Sequence, residues 1–285
     1  MINAEWSLVF FTLLGQFSTG LLLCTLIFRL FPAAVSNESI EKITRSAAKT
    51  AFVLMAIALA LSFLHLSSPL SAIYALSNLG ESWLSREILM VATYAFLSFV
   101  LLLLILYRPG NQLLQKILMS VTVLAGLAMV YTMARLYMIE TVPVWNTPKT
   151  LVAFYTSVFL VGSAIFMVIF SKNLEKTTGK AIQKPASILL IMAAGLFLKL
   201  FTLVIPYRAI AEANTGFAVT ASGGSWMFIH WALLAVGALL AIVNLQKQRT
   251  SRVVSGYYVS ALLCFVLAEL IARADFYASF FRIGI

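Results

Sequence analysis

The stretch WSLVFFTLLGQFSTGLLLCTLIFRLF, residues 6–31, carries a single charge, Arg29, close to its end. A helix needs about 20 predominantly apolar residues to cross the hydrocarbon core of a bilayer, and this run exceeds that. It is too long for the apolar part of a secretory signal and has no small-residue cleavage site, so it reads as a span that stays in place. The same pattern recurs down the chain, at about 46–66, 86–107, 113–139, 149–170, 186–206, 226–246 and 254–276. Eight spans are expected. Their ends carry helix punctuation: Pro32, Pro109 and Pro206 close spans, Pro185 precedes one, and Thr147-Pro148 reads as an N-cap followed by proline at the first helical position.

Composition agrees with the pattern. Hydrophobic residues make up 62% of the 285 positions and charged residues 11%, whereas a soluble domain is about half apolar and about a quarter charged. No water-soluble core of this length hides so much apolar surface. The expectation is an all-α integral membrane protein, residues 1–285, forming one domain with the lipid bilayer as its solvent.

The formal net charge of +10 is not a nucleic-acid signature, because the basic residues sit in short loops between apolar runs. Thirteen of them fall in or beside the odd-numbered loops, among them Lys42, Arg45, Lys116, Lys176 and Arg249, and six in the even-numbered loops, the helix margins facing them and the termini. By the positive-inside rule the odd loops are cytoplasmic, and both termini and the even loops are periplasmic. The even loops are the longer ones and contain Tyr74, Trp83, Trp145 and Tyr207.

Ionisable residues within or at the ends of spans mark the chemistry, since each costs roughly 3 kcal/mol on insertion scales unless paired. His65 ends the second span, and Arg86 and Glu87 open the third. Arg135 closes the fourth, Lys199 lies in the sixth, His230 opens the seventh, and Glu269 and Arg273 lie toward the end of the eighth. All belong to the outer half. Each has an ordinary reading: Glu87 at a helix N-terminus, Glu269 and Arg273 neutralising each other at i, i+4, Arg135 and Lys199 reaching for the interface, the aromatics as a belt. Their joint asymmetry is what those readings explain poorly. A histidine exchanges protons near neutrality, a carboxylate relays them, and a cleft open to lipid suits a quinol ring with its tail among apolar side chains.

Metal chemistry in this protein is not expected. His65 and His230 are the only histidines, so a two-haem cytochrome is excluded by count, and Cys24 and Cys264 are isolated inside apolar runs. The rival reading from another class is a proton-coupled secondary transporter with an outward-facing protonatable vestibule. Transporters commonly carry midplane charge and repeat-related broken helices, and neither is visible here.

Gly15-Gln16 and Gly20, His65 followed by Pro69, Trp83-Leu84-Ser85-Arg86-Glu87, Arg135-x-Tyr137, Pro143-x-Trp145-Asn146-Thr147 and Glu269 together resemble the DmsC-type membrane anchor subunits of bacterial dimethyl sulfoxide reductase, over essentially the whole length. The resemblance implies a haem-free anchor of the inner membrane that oxidises menaquinol. It implies as partners a four-cluster iron–sulfur subunit and a molybdopterin catalytic subunit. It also implies that His65 and Glu87, a histidine ending the second helix and a glutamate opening the third, bind quinol. Arg86, Arg135 and Trp145 are further candidates for shaping the pocket or meeting the partner.

Overall fold

In a computed structural model, the described residues are 6–31, 35–65, 74, 76–174, 186–204, 225–247 and 255–279. They form eight long α-helices: α1 Trp6–Leu30, α2 Asn37–His65, α3 Trp83–Tyr107, α4 Gln112–Tyr137, α5 Pro148–Leu174, α6 Ala186–Val204, α7 Ser225–Lys247 and α8 Ser255–Ala278. A short 3-10 turn at Leu76–Asn78 precedes α3. Six of the eight, α1 to α5 and α7, contain stretches long and apolar enough to cross a membrane, while the apolar part of α6, Ser187–Leu203, is shorter. The protein is an all-helical, multi-pass membrane protein. The second span was expected to start near residue 46, yet α2 begins at Asn37. Its first turns are amphipathic, with Ile43 and Ala47 buried while Lys42 pairs with Glu38 in the open at 2.6 Å.

The helix surfaces sort by position in the bundle. Leu84, Phe96 and Phe99 on α3, Leu113 and Leu124 on α4, Leu190 and Phe197 on α6, and Phe228 and Leu239 on α7 are all exposed. In water such a surface would be an aggregation liability; against lipid it is the outer wall. By contrast α1 is buried along most of its length despite Thr12, Gln16, Ser18, Thr19 and Thr25. Its threonines return their hydroxyls to the preceding turn, as in Thr25 Oγ1 donating to the Leu21 carbonyl at 2.7 Å, so they cost little when buried. Ser18 instead ties helices together, donating to the Ala51 carbonyl of α2 at 2.7 Å with the Tyr94 hydroxyl of α3 2.8 Å away.

Packing repeats in the two halves of the molecule although the sequence shows no repeat. In the first half α1 packs on α2, α3 on α4, and α1 on α4; in the second α5 packs on α6, α7 on α8, and α5 on α8. The halves meet through α1 and α5, and each also reaches two helices of the other half, α1 touching α6 and α8, α5 touching α2 and α4. The correspondence is partial, since α2 also packs on α3 whereas α6 and α7 show no comparable packing among the described residues. The two central helices run parallel, since Phe28 near the end of α1 meets Phe166 and Phe170 near the end of α5 at 5.3 and 5.6 Å. They cross at Gly20 and Gly162. A β-carbon on Gly20 would collide with the Val158 carbonyl, and one on Gly162 with the Gly20 backbone, so only hydrogen at both positions permits this approach.

Candidate functional site

Even-numbered and odd-numbered helices alternate in direction, so the C-terminal ends of α2, α4, α6 and α8 gather with the N-terminal ends of α1, α3, α5 and α7. Contacts between distant segments fix this end. Tyr137 closing α4 meets Tyr277 closing α8, hydroxyl to hydroxyl at 2.9 Å. Trp145, in the turn before α5, lies on Phe276 of α8 with ring centroids 5.1 Å apart and planes 18° apart, and its indole N–H donates to the Phe276 carbonyl at 2.8 Å. The opposite end has its own buried cation, Arg29, which donates to Gln115 at 2.9 Å, while Glu87, Lys199, His230, Glu269 and Arg273 are buried at this end.

Within that end the strongest assembly centres on α8. Glu269 is buried, accepting from Lys199 Nζ of α6 at 2.8 Å and from Ser157 Oγ of α5 at 2.6 Å. Arg273, one turn on, is equally buried, donates to Gln16 Oε1 of α1 at 2.9 Å, and stands 3.7 Å over the Phe154 ring. Glu269 and Arg273 thus do not form the i, i+4 pair expected of them. Each faces a different neighbour because a buried charge is tolerated only with its own hydrogen-bonding partner. Lys199 does not extend to the interface either: it is 5% exposed and neutralises Glu269. His230 of α7 completes the group, with Nδ1 2.8 Å from the Ala268 carbonyl. A carbonyl only accepts, so Nδ1 carries the proton and Nε2 is left as an acceptor.

A cavity of about 150 Å³ opens beside this assembly, between the ends of α5, α6, α7 and α8. Thr147, Lys149, Thr150, Lys199, Thr202, His230 and Asp275 contribute polar groups to its wall, and Trp226, Trp231 and Phe276 aromatic ones.

The predicted quinol residues lie in the other half of the bundle, at the same end. The backbone of His65 ends α2, and its side chain lies outside what is described, as do Pro69, Tyr207 and the loop near 207–225. Glu87 sits in the first turns of α3. Ser82 caps that helix, its hydroxyl accepting from the Ser85 amide at 3.3 Å. Glu87 is 5% exposed, and it lies within electrostatic reach of Tyr137 and Tyr277. Glu87 is therefore more than a surface charge on a helix dipole. Arg86 turns the other way, donating to the Leu79 and Gly80 carbonyls and clamping the turn before α3. Trp83 lies between two guanidinium groups, that of Arg86 at 4.4 Å from the ring centre and that of Arg135 at 5.0 Å, a cation–π arrangement that joins α3 to α4. Trp145 is buried among Tyr137, Phe276 and Tyr277. Among the described belt aromatics, Tyr74 is freely exposed, at 79%.

Sequence reading missed the parts that organise this end. Gln16 is a lone amide inside an apolar run, a signal that it is buried and bonded. Ser157 and Phe154 carry no signal, because serine and phenylalanine are ordinary in a span and only the fold turns them toward Glu269 and Arg273.

Comparison with known proteins adds a relationship over the full length. The model of the family described as DMSO reductase anchor subunit (DmsC) matches residues 2–279. The protein is 28% identical over 283 residues to YnfH, an anaerobic dimethyl sulfoxide reductase polypeptide of Escherichia coli (strain K12), covering 98% of this sequence and 96% of that one. It is 28% identical over 285 residues to the C polypeptide of anaerobic dimethyl sulfoxide reductase from the same organism, again covering 98% and 96%. With the C polypeptide of the Haemophilus influenzae reductase it shares 30% identity over 175 residues, 60% of this sequence and 61% of the relative.

Proposed function

Because the protein belongs to the DMSO reductase anchor subunit (DmsC) family, we propose that it anchors a dimethyl sulfoxide reductase-type complex in the bacterial inner membrane and oxidises menaquinol there. An anchor subunit implies catalytic and electron-transfer partners. We take the latter to be a four-cluster iron–sulfur subunit that receives the electrons, and the former a molybdopterin subunit that delivers them to the terminal acceptor. In this reading all eight helices span the bilayer, and both termini and the even-numbered loops are periplasmic.

The observation that carries the reading is the gathering of buried Glu87, Lys199, His230, Glu269 and Arg273 with the hydroxyls of Tyr137 and Tyr277 at one end of the bundle. Quinol oxidation releases two electrons and two protons, and the protons need acceptors within hydrogen-bond reach of the ring. His65, ending α2, takes the first proton from a quinol hydroxyl. Glu87, buried at the start of α3 and beside the Tyr137–Tyr277 pair, passes protons toward the aqueous phase. Arg86 and Arg135, stacked on Trp83, hold the start of α3 in place, and Trp145 packs the floor of the same end. The ring stays close to the iron–sulfur partner at the periplasmic face, while its isoprenoid tail lies against the lipid-facing leucines and phenylalanines.

The test is His65→Ala in the fully assembled complex. Quinol-driven reduction of the terminal acceptor should be lost, whereas reduction by an artificial donor, which bypasses the anchor, should persist. Glu87→Gln should slow quinol oxidation less, because water partly replaces a relay. Near-normal turnover in His65→Ala would reject His65 as the acceptor.

A further inference from the structure

The cavity between α5, α6, α7 and α8 lies away from His65 and Glu87, and nothing in the proposed quinol step uses it. We propose that it is a second binding site, for the ring of a neutral quinone or quinol. The inference rests on the preceding reading only for the class of ligand expected in this membrane.

Three features of the cavity select that ligand. The first is size: at about 150 Å³ it matches cavities known to admit a single aromatic ring. The second is charge. Lys149 and Lys199 are the cations on its wall, but Lys199 is paired with Glu269 and Lys149 lies within electrostatic reach of Asp275. The opposing charges cancel, so an anion such as a phosphate gains no net attraction, and a neutral polar molecule loses nothing by entering. The third is hydrogen-bonding capacity. An ammonium has three donors, and among the described residues Lys199 uses one, to Glu269. His230 commits Nδ1 to Ala268 and keeps Nε2 as an acceptor. One wall therefore offers a donor and an acceptor together. A quinol hydroxyl gives its hydrogen to His230, a quinone carbonyl accepts from Lys199, and both redox states are accommodated without a change in protein charge.

The mouth has the matching character. Trp226, Met227 and Leu203 line the cavity and are 66%, 39% and 59% exposed, so apolar surface against which a polyprenyl tail can lie is continuous with the cavity wall. Trp226, Trp231 and Phe276 supply aromatic side chains to the lining, a character that suits an aromatic ring.

Photolabelling of the purified, intact complex with an azido-naphthoquinone, followed by peptide mapping, tests the site. Label is expected on the peptides of α6 to α8 that contain Lys199, Trp226 and Phe276. Ala272→Phe, which fills the cavity from α8, should remove that label while any label near His65 and Glu87 stays. His230→Leu should weaken labelling about fivefold, the order expected for one lost hydrogen bond, and His230→Gln, which keeps an acceptor, should recover most of it. That pair keeps the test decisive if Ala272→Phe fails to assemble. Absence of label from α6 to α8, or label there that is indifferent to His230→Leu, overturns the proposal. Loss of quinol oxidation in His65→Ala with α6–α8 labelling intact separates the two sites. Turnover that survives in His65→Ala while the labelling is also intact rejects the earlier reading alone.

Discussion

At the scale of single residues, the consequences of membrane burial are set by pairing. Lys199 and Glu269 are each buried and form an ion pair inside the bundle. Removing one member leaves an uncompensated charge in a low-dielectric interior, a loss of roughly 3–5 kcal/mol, whereas replacing both by apolar groups is far milder. Lys199→Met should therefore lower the yield of folded protein and its thermal midpoint in detergent strongly. Lys199→Met combined with Glu269→Gln should recover most of the loss. The comparison of the two midpoints checks it. The histidines permit a separate prediction: with His65 and His230 as the only imidazoles, carried by α2 and α7 in different halves of the bundle, two facing axial ligands are lacking and the protein should bind no haem. A reduced-minus-oxidised haem b spectrum from the purified subunit, lost on substituting either histidine, would contradict that.

Elements are held to one another by small residues and shared hydrogen bonds rather than by a hydrophobic driving force, which lipid does not supply between helices. The α1–α5 crossing depends on Gly20 and Gly162, whose backbones touch. Gly162→Leu should separate the two halves of the bundle and reduce assembled complex in membranes, a larger effect than the roughly 1–3 kcal/mol of ordinary overpacking, because backbone and not a flexible side chain blocks the way. Gly80, by contrast, has open space where a β-carbon would be, and Gly80→Ala should leave complex levels within about 0.5 kcal/mol of normal stability. Quantifying assembled complex for both variants on native gels distinguishes the two positions. The Ser18 link works differently. It joins α1 to α2 and α3 at once, so the central helix is keyed in register as well as packed.

For the molecule as a whole, the side of the membrane that the Glu87–Glu269 end faces decides how the anchor can work. If the basic odd loops face the cytoplasm, this end is periplasmic, and a reporter active only in the periplasm should be active when fused after Ile285. Activity solely from a cytoplasmic reporter would reverse the orientation and with it the side on which the partners dock. Glu87 in α3 and His230 in α7 occupy comparable places along their helices, each in the second turn of the third helix of its half. The halves thus carry related positions with different side chains, one a carboxylate beside a tyrosine pair and the other an imidazole on a cavity wall.

Read alone, the sequence determined that this is a helical membrane protein, where most of its helices begin and end, and that most of the ionisable residues placed inside its spans lie toward one end. Those conclusions follow from local quantities: run lengths of apolar residues, prolines at boundaries, and the count of charges between runs. Similarity over the full length then supplied the family. The partners of those ionisable residues were not legible. Glu269 and Arg273 looked like a pair on one helix, yet they face Lys199 and Gln16, which are 70 and 257 positions away from their respective partners. Spacing along one helix specifies which side chains can meet, but not which neighbouring helix comes closer. Nor did the run at residues 6–31 announce that it would be a central helix, because lipid and a packed protein interior are both apolar, and a hydropathy pattern cannot tell one from the other. Only the tertiary structure decided that, by placing two glycines from different halves of the molecule at the same crossing.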